Sequence, residues 1–171
     1  MKKTMFVFML LIIGASSFAD TVDEILAPQT AIIDSYLELK NALVEDNATK
    51  AAEAGKKMVE AFKKFDKATV PAAKQKELED IFASAIEQAE HISNNAGKMA
   101  HQREHLAVLS KDINDLIVIT GSDRMLYQDF CPMYNNGKGA IWLSASSDIK
   151  NPFYGKQMLT CGSVQNKIAA K

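Results

Sequence analysis

A chain of 171 residues, 47% of them hydrophobic, is long enough for one domain with a proper core. Its 20 basic residues stand against 21 acidic ones, so the charge balance removes nucleic acid and anionic membrane from the expected partners. Past the N-terminus no long apolar run occurs, and the mature chain is expected to be soluble, with no membrane insertion.

The chain opens on Met1-Lys2-Lys3, followed by an apolar run from Met5 to Ile13 and then by Gly14-Ala15-Ser16-Ser17-Phe18-Ala19. Ser17 and Ala19 supply small residues at the −3 and −1 positions of a cleavage site. Residues 1–19 therefore read as a secretory signal peptide cut after Ala19. Its apolar part is too short for a permanent anchor, and no cysteine follows the cut to carry a lipid. Such a leader predicts a periplasmic or secreted protein, in a compartment where unpaired thiols tend to oxidise. Residues 20–171 form a single expected domain.

Four amphipathic helices are predicted next. The first, 28–45, places Pro28 in its first turn and carries Ile32, Ile33, Tyr36, Leu37, Leu39, Leu43 and Val44 as its apolar stripe. Asp46-Asn47 breaks it and caps a second helix over 48–66, with Met58, Val59, Phe62 and Phe65 inward and a lysine-rich solvated face. Val70-Pro71 starts a third, running to about Ser93. Asn94-Asn95-Ala96-Gly97 stops it, and a fourth spans roughly 98–119. Short connections favour a mainly α fold, an antiparallel up-and-down four-helix bundle over 28–120.

From 121 to 171 the texture changes to Gly, Pro, Asn and aromatics with short apolar runs. Met125-Leu126-Tyr127, Ala140-Ile141-Trp142-Leu143 and Met158-Leu159 read as short strands, and Asn135-Asn136-Gly137 and Asn151-Pro152 as turns. A segment this poor in regular structure cannot hold a core alone. It is expected to cap the bundle, anchored by Trp142 and Phe153.

Two sets of side chains carry candidate chemistry. On the fourth helix His101 and His105 are four apart and project from one face, a spacing that chelates Zn(II) or Cu(II). His91, near the end of the third helix, comes close to them if the two helices pack antiparallel; its ordinary role is structural. His101-Gln102-Arg103-Glu104-His105 also matches the inverted zinc-protease string. That reading is rejected because a catalytic zinc needs a third protein ligand and a substrate cleft, and a bundle of this size offers no obvious one. No nucleophile elbow or phosphate-binding loop occurs, and no enzymatic activity is expected.

The second set is sulfur. Both cysteines lie in the tail, and Cys131 faces the same way as Met133 in an extended segment, while Met158 and Cys161 are three apart. Brought together they give two thiolates and two thioethers, a soft set that suits Cu(I). The alternative is a Cys131–Cys161 disulfide, a staple contributing about 3–4 kcal/mol, with the methionines as core fillers.

Cys131-Pro132-Met133, Gly139-Ala140-Ile141-Trp142-Leu143-Ser144, Asn151-Pro152-Phe153-Tyr154-Gly155 and Met158-Leu159-Thr160-Cys161-Gly162 together resemble the bacterial exported domain of unknown function numbered 3347. Gln102-Arg103-Glu104-His105, Leu109-Ser110 and the stretch from Tyr36 to Leu43 are similar to its helical motifs, so the resemblance spans about residues 30–167. Leu106 departs from a pattern that favours phenylalanine. Members of that family occur alone or joined to periplasmic adaptor subunits of heavy-metal efflux pumps. The resemblance thus implies a link to copper or related metals and an efflux adaptor as partner, with no demonstrated activity. The expected function is a periplasmic metal-binding accessory that captures or delivers Cu(I) through Cys131, Met133, Met158 and Cys161, with a histidine as a further ligand. The alternative is a metal-free interaction module of an efflux adaptor system, stapled by the disulfide.

Overall fold

The computed structural model describes residues 20–171, with side chains from Gln29 onward. The expected signal peptide and its cleavage site lie outside the described residues. The protein is mainly helical, with a small three-stranded antiparallel sheet at the C-terminal end. No helix among the described residues is long and apolar enough to cross a membrane.

Four long helices follow in order: α1 Asp20–Val44, α2 Ala48–Lys64, α3 Ala72–Asn94 and α4 Met99–Thr120. The first begins eight residues before its expected start, so Pro28 lies within it rather than in its first turn. Asp46, in the left-handed region at φ 59°, turns the chain out of α1, and Asn47 caps α2 by accepting the Lys50 N–H at 3.0 Å. Pro71 immediately precedes α3. Gly121 ends α4 at φ 84°, donating its N–H to the Ile117 carbonyl at 2.7 Å.

The helices enclose one core whose largest members include Tyr36, Phe62, Phe82, Ile32, Leu39 and Leu106, all effectively inaccessible to solvent. Phe62 and Phe65 meet Phe82 edge-on at 4.9 and 5.2 Å. Helix α2 passes so close to α3 at Gly55 that an added Cβ would lie 2.9 Å from the Ala89 carbonyl.

Strands β1 Leu126–Cys131, β2 Ala140–Ser144 and β3 Ser163–Ile168 form a sheet in the order β2-β1-β3. The strand expected at Met158-Leu159 is instead a turn, in which Cys161 donates its N–H to the Met158 carbonyl at 3.0 Å. The third strand is the more polar Ser163–Ile168, an exposed edge whose stability comes from pairing with β1, so its sequence shows little hydrophobic alternation.

Trp142 and Phe153 are buried as the cap's anchors, their rings 6.0 Å apart. Polar contacts fix the cap's orientation. The Tyr36 hydroxyl pairs with Ser110 Oγ at 2.8 Å and accepts the Leu143 N–H at 2.9 Å. Arg103 donates from Nε to the Pro152 carbonyl at 2.7 Å, and from Nη2 to the Leu43 carbonyl at 3.0 Å and Asp46 Oδ1 at 2.7 Å. Lys40, buried between α1 and the sheet, donates to Ser144 Oγ at 3.4 Å. Burial pulls its ammonium down to about 8, opposed by the Asp129 charge, and burial pushes the Asp129 carboxyl up to about 6.

Candidate metal centre

Helices α3 and α4 are antiparallel neighbours joined by a four-residue turn. Asn95 Nδ2 donates to the His91 carbonyl at 2.8 Å, and Gly97 takes φ +89°. The buried Gln102 side chain locks the start of α4 in place, its amide nitrogen donating to the Ala48 carbonyl at 2.9 Å and the Ile92 carbonyl at 3.1 Å. This joint brings the last turns of α3 opposite the first turns of α4.

His91 from α3 therefore meets His101 and His105 from α4, and one ring nitrogen of each lies within 4.8 Å of the others. His91 and His105 stack at 4.4 Å with planes 15° apart. His101 stands edge-on to His105 at 4.5 Å. His91 is exposed and the other two are partly buried, so the cluster opens to solvent. His91 thus stands beside the His101/His105 pair, where antiparallel packing of the two helices was expected to bring it.

Two further side chains orient the imidazole rings. Gln88, one turn before His91, accepts through Oε1 from His105 Nδ1 at 2.7 Å. Glu104 Oε2 lies 3.3 Å from His101 Nδ1. Carbonyl and carboxylate oxygens only accept, so both Nδ1 atoms act as donors in these contacts, and Nε2 is the ring nitrogen each histidine has left to offer an ion. Those Nε2 atoms face each other at 3.1 Å. That separation suits an N–H···N hydrogen bond between the rings, and it equally suits one ion shared by both nitrogens. An ion bonded to each at about 2.05 Å would see the 3.1 Å gap under an angle of about 98°, between the square and tetrahedral values. Burial, followed by the nearby His101 and His91, holds the His105 imidazolium below its usual range, while Glu104 and Glu87 oppose the shift.

Imidazole nitrogen suits Zn and Cu, and a carboxylate or amide on the far nitrogen is the usual way a protein orients such a ligand. Gln88 escaped the sequence reading. Its only signal was its place three residues before His91, on the same helix face.

The sulfur residues are arranged differently. Cys131 and Cys161 come together as free thiols with Sγ atoms 3.7 Å apart, so the disulfide of the alternative reading is not bonded here. Met133 and Met158 are 56% and 37% exposed, so neither is the core filler that the disulfide alternative expected. No histidine, aspartate or glutamate ligand atom clusters with the two thiols among the described residues, so the histidines and cysteines do not share one site.

A family model described as a protein of unknown function (DUF3347) matches residues 32–125, more than half of the chain. The chain belongs to the DUF3347 family. No curated protein and no solved structure matches it. In this DUF3347 member the matched stretch runs from Ile32 in α1 to Met125, just ahead of β1, and holds all three histidines. The cysteines and the tail motifs from Cys131 onward lie beyond it.

Proposed function

We propose that this protein is an exported, non-catalytic metal-binding accessory that holds a Zn(II) or copper ion through His91, His101 and His105. The observation carrying the reading is the convergence of one ring nitrogen from each histidine within 4.8 Å, with the Nε2 atoms of His101 and His105 3.1 Å apart and their Nδ1 atoms held by Glu104 and Gln88. Three protein nitrogens leave a coordination position open toward solvent, through which an ion enters and leaves or a partner's ligand completes the shell. Glu104 is engaged with His101, which favours carriage over hydrolysis.

The leader-like residues 1–19 support export to a periplasm or beyond. We read the helical body as an antiparallel up-and-down four-helix bundle, a reading supported by the packing of α1 on α2, α2 on α3, α3 on α4 and α1 on α4. The family resemblance to domains accompanying heavy-metal efflux adaptors supports a bacterial setting in which the ion is copper and the partner such an adaptor. The free thiols weigh against the alternative of a metal-free module stapled by a disulfide.

Zn(II) and Cu(II) titrated into the protein against a competing chelator test the proposal. One ion per chain is expected. Replacing His91, His101 and His105 together by alanine should weaken binding by about 100-fold or more while helical content is kept. Equal affinity in the triple variant would overturn the assignment.

A further inference from the structure

The cap holds a second donor set. Cys131 ends β1 with no solvent exposure, and Cys161 stands partly exposed in the turn before β3. Sheet register accounts for their meeting. Phe130 pairs with Ser163, so one further step places Cys131 beside Gly162 and Cys161. The backbone is held on both sides. Cys131 pairs with Ala140, while the Cys161 carbonyl accepts from Asn151 Nδ2 at 2.7 Å. Gly162 allows the approach, since a Cβ there would lie 2.7 Å from the Trp142 ring and 2.9 Å from the Phe130 carbonyl.

The sulfur separation of 3.7 Å is far longer than the roughly 2.05 Å of a disulfide. It does match two ligands on one ion: with metal–sulfur bonds of about 2.3 Å, 3.7 Å subtends about 107°, close to the tetrahedral angle. A bent pair of thiolates leaves room for at least one more ligand. Zinc sites draw theirs from cysteine, histidine and carboxylates, and no histidine or carboxylate donor joins these two thiols among the described residues. What the chain places close to each cysteine in sequence is a methionine. Met158 lies in the same turn as Cys161, whose N–H bonds to its carbonyl at 3.0 Å, and Met133 follows Cys131 by two residues. Thiolate and thioether together select Cu(I).

We propose that Cys131 and Cys161, with a thioether from Met158 or Met133, form a Cu(I) site in the cap, distinct from the histidine centre. Binding forms two copper–thiolate bonds and one copper–thioether bond and releases the two thiol protons to solvent. The copper arrives already reduced, so no electron is transferred.

The test uses the full mature chain carrying His101→Ala and His105→Ala, fully reduced and without oxygen, titrated with Cu(I) against bicinchoninate. The background separates this proposal from the histidine reading. One Cu(I) per chain is expected, with ultraviolet thiolate-to-copper absorption. Cys161→Ser, at the partly exposed position, should abolish that absorption and weaken binding by about 100-fold, and Met158→Leu with Met133→Leu by about tenfold. Undiminished Cu(I) affinity in Cys161→Ser would overturn the proposal. So would reduced protein that takes up no Cu(I). Unchanged affinity in the double methionine variant would overturn the thioether assignment.

Discussion

The histidine centre and the thiol pair both draw their donors from two segments of chain, yet the segments are held by different physics. The histidines stand on α3 and α4, long helices whose mutual packing is fixed by a continuous apolar core and by the buried amide of Gln102. The thiols stand at the end of a strand and in a turn, and their separation depends on sheet register and on Asn151, Trp142 and Gly162. A site on a helical scaffold tolerates damage to its surroundings. A site in a loop-rich cap needs every anchor.

The largest expected effect breaks that comparison if it fails. Trp142→Ala removes the largest buried side chain of the cap and should cost about 3–5 kcal/mol in denaturant unfolding. Cu(I) binding by the thiols should weaken with it, while Zn(II) affinity at the histidines stays within about twofold. Equal losses at both sites would show that the two regions are mechanically one.

The joint between the regions gives the next effect. Lys40 has its ammonium lowered by burial to about 8, from an ordinary 10.5. Between those values the unfolded chain binds more protons than the folded one, so stability should rise with pH across the window. The rise should be on the order of 3 kcal/mol, and it should be missing from Lys40→Met when unfolding is measured at pH 8 and 10.5. A parallel pH profile in the variant would assign the slope to other groups.

The smallest effect sharpens the comparison from the other side. Gln88→Leu keeps the size of the side chain but removes the acceptor on His105 Nδ1. Zn(II) affinity should fall by about tenfold, with Cu(I) binding in the cap untouched. Unchanged Zn(II) affinity would mean that His105 is oriented by packing alone.

The helices were legible because burial at i, i+3 and i+4 is written directly into sequence. Ile32, Ile33, Tyr36, Leu39 and Leu43 were read as one face, and they are buried together. Pro28 suits the first turn of a helix and so predicts a start there, whereas α1 begins at Asp20, ahead of it. The last strand was misplaced because Met158-Leu159 is apolar but sits in a turn, whereas Ser163–Ile168 is polar and is made a strand by its neighbour.

The same division runs through the sites. That His101 and His105 share a face follows from their spacing alone, because helix geometry is local. The sequence also determined which residues are soft and which are borderline donors, and that both cysteines belong to one segment. Only the tertiary structure decided that His91 and Gln88 stand across from that face, since this depends on how α3 and α4 meet around the Asn95–Lys98 turn. It also decided that Cys131 and Cys161, thirty residues apart, approach to 3.7 Å unbridged. Contacts of that kind are fixed by packing and strand register, which no short stretch of sequence encodes by itself.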